Sequence, residues 1–256
     1  MILDNKLQYN SIEDSIEAFK NGNFLIVLDS PSRENEGDLV IAASAMTPEK
    51  MAFMIYHTSG LICTPILPSL AIELQLPLMV PETDSEDPNK TAYTDNEINL
   101  NQPISPKLMV TADANHTSIT TGISAHDRAL TCSFLASCTT AIAPESENDK
   151  ISKASLFRRP GHVFPLLAQV GLTRKRRGHT EAVLEFCRLA KLPMVGVISE
   201  LVEGGVEVEG KAERKEPGMM RGEACLKFGK KWGLMCCSIE DLVNWIEKNE
   251  GDLEKT

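Results

Sequence analysis

The stretch Phe24 to Ala43, FLIVLDSPSRENEGDLVIAA, sets two apolar runs on either side of a dense polar one. Phe24 to Leu28 reads as a buried strand, and Leu39 to Ala43 as a second. The polar run from Asp29 to Asp38 must then be the loop between them, with Gly37 permitting a tight turn. Upstream, Ser11 can cap a helix whose apolar positions Ile12, Ile16 and Phe19 share one face. Downstream, Thr47-Pro48 starts a helix with Pro in its first turn, followed by Met51, Met54 and Ile55. Leu61 to Ile66 returns as strand.

The same alternation continues, irregularly, to the end. Lys107 to Asp113 is a predicted strand. Ser124 begins a helix with Asp127 three residues on, a capping box with Asp in place of Glu, and Leu130, Phe134 and Leu135 lie inside it. A helix after His179 carries Val183, Phe186, Cys187 and Ala190 at helical spacing, and Met194 to Ile198 follows as strand. Gly222 to Trp232 is helical, Leu234 to Cys237 a strand, and Ser238 caps a last helix with Leu242, Val243 and Ile246 inward. There is no internal repeat and no glycine fingerprint for a dinucleotide. The expectation is one α/β (α+β) domain, a mixed sheet flanked by helices, with its core between about residues 12 and 246. Pro81 to Lys90 is expected as an exposed acidic loop, Glu145 to Lys153 as a similar excursion, and residues 247–256 as a short polar tail.

With 256 residues, 42% of them hydrophobic, the chain can bury a sizeable core. The formal charge of −10 argues against nucleic acid as a partner, although a few arginines can still hold a small phosphate. The first residues show neither a signal nor a transit pattern, and no apolar run approaches a membrane span, so a cytoplasmic location is expected. The 7 cysteines have neither a CxxC pair nor zinc spacing, as expected of reduced, buried thiols.

Five clusters carry chemistry. Arg33-Glu34-Asn35-Glu36-Gly37-Asp38 crowds three carboxylates that either want a cation or form a solvated turn. Arg176-Arg177-Gly178-His179-Thr180 leads into a helix, where an N-terminus favours an anion; it is a phosphate site or a basic capped loop. His179 there could complete a metal site with a carboxylate of the first loop. In Arg159 to Pro165 two prolines and a glycine fix the backbone around His162, which is a core histidine or a catalyst. Glu200, at a strand end, is a surface carboxylate or a functional one. Thr120 to Arg128 runs hydroxyls and Gly122 into a capped helix, to bind phosphate or merely to cap.

Together these segments, with HTSG at His57 to Gly60 and TAY at Thr91 to Tyr93, closely resemble the 3,4-dihydroxy-2-butanone 4-phosphate synthases of riboflavin biosynthesis, in order and in spacing, from about Phe19 to about Ile246. The resemblance implies conversion of ribulose 5-phosphate to L-3,4-dihydroxy-2-butanone 4-phosphate and formate, with the sugar's C4 lost. It implies Glu34 and His179 as ligands of two Mg²⁺ or Mn²⁺ ions held mostly by substrate oxygens and water. It implies Arg33, Asp38, Thr121, Arg176, Arg177, Gly178 and Thr180 at the substrate, alongside Glu34, His179 and Glu200. His162 and Glu200 would transfer protons, with Cys63, Thr91, Tyr93 and Asp127 as secondary pocket residues. It also implies a homodimer with shared sites, in which His179 would serve a pocket whose Glu34 belongs to the other chain. Val170 to Lys175 departs from the family's glycine-rich stretch. A monofunctional enzyme is expected, because neither room nor clustered cysteines suggest a fused zinc domain. The alternatives are a metal-dependent sugar-phosphate isomerase or aldolase, and a degenerate paralogue that binds without turnover.

Overall fold

The computed structural model describes residues 8–80, 107–139 and 152–251. The expected loop at 81–90, most of the 145–153 excursion, and Thr91 and Tyr93 lie outside these residues. In chain order the elements are α1 (Ile12–Lys20), β1 (Leu25–Leu28), β2 (Gly37–Ala42), α2 (Pro48–His57), β3 (Cys63–Ile66), α3 (Pro68–Glu73), β4 (Lys107–Leu108), β5 (Ala112–Ala114), α4 (Ala125–Ser137) and β6 (Phe157–Leu167). They continue with α5 (His179–Leu189), β7 (Gly196–Glu200), β8 (Val202–Glu203), β9 (Val206–Glu207), β10 (Arg214–Lys215), β11 (Gly218–Met219), α6 (Gly222–Trp232), β12 (Met235–Ser238) and α7 (Ile239–Glu250).

The expected helix starts hold. Ser11, Thr47, Ser124 and Ser238 each accept the amide three residues on, from Asp14, Lys50, Asp127 and Asp241. Each cap satisfies a helix-end donor that would otherwise be orphaned, worth about 1 kcal/mol.

Among the described residues the main sheet is 8-stranded and mixed, in the order β12-β1-β2-β7-β3-β6-β4, with β5 also on β6. Every residue of β1 and β2 is buried. Alternation along these strands decides what each face meets. Ile26, Leu28, Leu39 and Ile41 pack with Met51 and Met54 of α2, Leu135 of α4 and Phe228 of α6. Leu25, Val27, Val40 and Ala42 pack with Phe19 of α1, Val183 and Phe186 of α5 and Ile246 of α7. The sheet is therefore the middle layer of three, a single mixed-sheet domain as expected.

Several boundaries differ from the sequence reading. Asp38 is not in the loop: β2 begins at Gly37, because Asp38 pairs with Val27 on one side and Glu200 on the other. Lys107 to Asp113 is not one strand but two, β4 and β5, both laid against β6. Residues 247–250 are not tail: α7 runs to Glu250, whose carboxylate pairs with Arg174 and Arg188. The sequence reading also had no strand for Phe157 to Leu167, no α3, and no hairpins from β8 to β11.

Candidate active site

Register brings Asp38, Glu200 and Cys63 onto neighbouring strands of the sheet. Asp38 on β2 faces Glu200 on β7. Cys63 on β3 lies between Ile198 of β7 and Phe164 of β6. A step of two along β7 keeps Glu200 on the face of Ile198, the α5 side that Cys63 also occupies.

Asp29 shapes the loop before Asp38. Its buried carboxylate accepts the amides of Glu34 at 2.9 Å and Glu36 at 2.8 Å, and Nη1 of Arg33 at 2.9 Å. Arg33 in turn reaches Oε2 of Glu34 at 2.7 Å. Sequence reasoning passed over Asp29. The signal was available: an Asp directly after a buried strand, ahead of amides that need acceptors.

The N-terminus of α5 brings His179 onto this loop. Nε2 of His179 donates to the carbonyl of Val27 at 3.2 Å, which leaves Nδ1 as a lone pair. That nitrogen lies 3.9 Å from Oε2 of Glu34 and 3.7 Å from Oδ2 of Asp38, too far for direct hydrogen bonds. Burial pushes the imidazole down to about 4, the pull of Asp29 only partly opposing it. Burial likewise raises Glu34, and raises Asp38 well above the carboxylate range with help from the charges of Glu200 and Glu34. Oδ1 of Asp38 and Nε of Arg33 are buried without a hydrogen-bond partner. Acceptors converging on one point with no donor between them are costly unless a cation or proton sits there. The donor set of one imidazole and hard carboxylate oxygens fits a divalent ion.

His162 belongs to a different arrangement. Its Nδ1 lies 2.8 Å from Oδ2 of Asp113, and its amide donates to Oδ1 of the same carboxylate at 2.8 Å. The ring is 39% exposed, so it is not a core-packing histidine. Glu200 is held from the other side by Ser59, whose hydroxyl donates to Oε2 at 2.7 Å and whose amide donates to the Glu200 carbonyl at 2.8 Å. Beneath them burial, with the charges of Glu200 and Asp38, keeps the Cys63 thiol protonated.

Comparison with known proteins now decides the lineage. Residues 13–245 match the family described as 3,4-dihydroxy-2-butanone 4-phosphate synthase. A protein of that name from Pyricularia oryzae is 52% identical over 97% of this chain and 94% of its own length. The chain belongs to the 3,4-dihydroxy-2-butanone 4-phosphate synthase family. A solved synthase in complex with two magnesium ions superposes with a TM-score of 0.79 at 50% identity, covering 95% of this chain and 99% of its own. A synthase in a cation-free form superposes with a TM-score of 0.78 at 49% identity, over 95% and 100%. The protein is thus an enzyme of a riboflavin-biosynthesis family.

The synthase fold distributes the remaining expected residues unevenly. Gly178 starts α5 without a side-chain cap, so the first amides of the helix are left to another acceptor. Thr180 is buried in that first turn. Arg176 is clamped by the buried Glu181 at 2.6 Å, while Arg177 is exposed and has no ion pair among the described residues. Thr121 is exposed beside Gly122, whose backbone packs on His162 and Asp113. Asp127 is occupied within its own loop, accepting from the Thr120 hydroxyl at 2.7 Å and the Gly122 amide at 3.0 Å. Burial would raise it, but these bonds outweigh burial and hold it far below the usual range. One expectation is corrected: Glu34 and His179, expected from two different chains, meet within a single chain, 3.9 Å apart.

Proposed function

We propose that the enzyme converts D-ribulose 5-phosphate to L-3,4-dihydroxy-2-butanone 4-phosphate and formate, with Mg²⁺ or Mn²⁺ as its cofactor. The observation that carries this is the lone pair of His179 Nδ1 aimed between the carboxylates of Glu34 and Asp38, with Asp38 Oδ1 buried and unpartnered. Glu34 and His179 would hold the ion. Among the described residues no group of three or more His, Cys, Asp or Glu side chains could hold a metal ion by itself, so substrate oxygens and water would have to supply most of the coordination. A solved relative in complex with two magnesium ions supports a divalent cofactor, and two ions per site are expected. When bound, they supply Lewis-acid stabilisation of negative charge on neighbouring sugar oxygens.

The chain's own residues do the rest. His162 takes the C1 proton, through the nitrogen that Asp113 does not engage, as the sugar enolises. Glu200, oriented by Ser59, moves protons at the hydroxyl that leaves from C3. Skeletal migration and hydrolysis then release the former C4 as formate; the water lost at C3 returns in that hydrolysis, so no external oxidant is needed. Arg33, Arg177, Thr121 and Thr180, with Arg176 and the uncapped amides after Gly178, bind the hydroxyls and the phosphate. Asp38 closes the pocket beneath the sugar, with Cys63 and Asp127 in its surroundings.

The functional unit is a homodimer, with the Glu34–His179 pair inside each chain. The 7 cysteines, all free and buried among the described residues, support a reducing cytoplasmic setting. Among the described residues no helix is long and apolar enough to cross a membrane. Incubating the purified protein with ribulose 5-phosphate and Mg²⁺ tests the reading: formate should appear one for one with substrate consumed. An isomeric sugar phosphate, or two shorter fragments, without formate would point to isomerase or aldolase chemistry instead.

A further inference from the structure

β6 departs from regular pairing where it carries His162. Ala112 of β5 pairs with Val163, but the next residue, Asp113, pairs with Arg158. Residues 159–162 are therefore looped out of the ladder between two adjacent partners. The bulge is sealed from both sides. Gly161 donates its amide to the carbonyl and hydroxyl oxygens of Thr111, and a Cβ on Gly161 would collide with the backbone of Ala112 and Asp113. Gly122, at φ +101°, lies so close that a Cβ there would collide with both the Asp113 carboxylate and the His162 ring.

Inside this seal Asp113 is 4% exposed and gives both oxygens to one residue. Oδ1 accepts the His162 amide at 2.8 Å and Oδ2 meets Nδ1 at 2.8 Å. An ionised carboxylate only accepts, so Nδ1 must carry the ring proton and Nε2 is left as the lone pair. We propose that Asp113 is a positioning residue for His162, fixing the tautomer in which Nε2 is the free base on the pocket side and holding the backbone beneath the ring. The proposal rests on the reading of His162 as the proton acceptor, and deepens it. A carboxylate behind an imidazole selects tautomer and orientation without itself meeting the substrate.

The test uses the full-length protein with Mg²⁺ and two readouts. In ¹⁵N-histidine-labelled enzyme, with the His162 signals assigned by their loss in His162→Asn, wild type should have a protonated Nδ1 and a bare Nε2. In Asp113→Asn the amide nitrogen can donate to Nδ1, so the tautomer should reverse. Turnover of ribulose 5-phosphate by Asp113→Asn should fall about 10²–10⁴-fold in kcat, with KM and the melting temperature nearly unchanged. A wild-type ring protonated on Nε2 overturns the proposal, as does an Asp113→Asn enzyme with wild-type kcat while His162→Asn is inactive. If Asp113→Asn fails to fold, the wild-type tautomer alone decides. If His162→Asn keeps full turnover, the role of His162 in the reaction is wrong, and the tautomer measurement still judges Asp113 separately.

Discussion

The two histidines of the site are held in opposite ways. At His162 the chain completes the ring: a buried carboxylate takes one nitrogen at 2.8 Å and leaves the other toward solvent. At His179 a backbone carbonyl takes one nitrogen, and the other faces Glu34 and Asp38 at 3.9 Å and 3.7 Å with nothing to bridge them. A histidine with a partner at hydrogen-bond distance is ready to exchange protons. One that is buried, kept neutral and aimed among acceptors is ready to hold a cation. The difference separates a proton-transfer station on β6 from a binding station at the first turn of α5.

The contrast breaks most sharply on metal removal. Excess EDTA should abolish formate production, and added Mg²⁺ should restore it, while circular dichroism stays native because so sparse a site contributes little to the core. Full turnover in EDTA would place His179 with His162 as an ordinary acid–base group. His162→Asn should lower kcat about 10²–10⁴-fold while thermal unfolding and Mg²⁺ binding by titration calorimetry stay close to wild type. A variant that melts early yet keeps its activity per folded molecule would make His162 structural.

Mixing tests the wiring between chains. Co-expressed Glu34→Ala and His179→Ala subunits should recover no activity, because each chain carries its own lesion in its own pair. Recovery toward roughly a quarter of wild type, in dimers shown to be mixed by mass, would mean that the functional pair is drawn from two chains.

The smallest effect is on stability against pH. His179 has its folded-state value pushed down to about 4 from 6.5, so the unfolded chain binds the extra proton first. Its contribution is fully present above about 6.5 and is lost as pH falls toward 4, on the order of 3 kcal/mol in all. Chemical denaturation of the metal-free enzyme should weaken across that window, and His179→Gln should flatten the slope. Stabilisation by Mg²⁺ should fade in the same direction, since the ion needs the imidazole neutral and the carboxylates ionised. An unchanged slope in His179→Gln would show that other groups govern acid stability.

The sequence by itself determined the layers and the motifs. Apolar runs such as Leu25–Leu28 can only be buried, and Ser11, Thr47, Ser124 and Ser238 mark helix starts through short-range bonds, so both are legible from neighbours in the chain. Glu34, His162, His179 and Glu200 were legible as site residues only through the motifs that carry the family resemblance, since each segment read alone was open to a structural role. β6 was hidden because Pro160 and Pro165 argue against a strand when read locally. Only the tertiary structure decided that Pro160 falls in a bulge, where no ladder amide is required, and that Pro165 accepts from Met109 through its carbonyl. It also decided the roles of Asp29 and Asp113: a lone Asp has no sequence signature for its partner, and Asp113 meets His162 across 49 residues. Where a carboxylate points depends on strand register and on the bulge, and both are set by packing between distant segments rather than by the residues on either side.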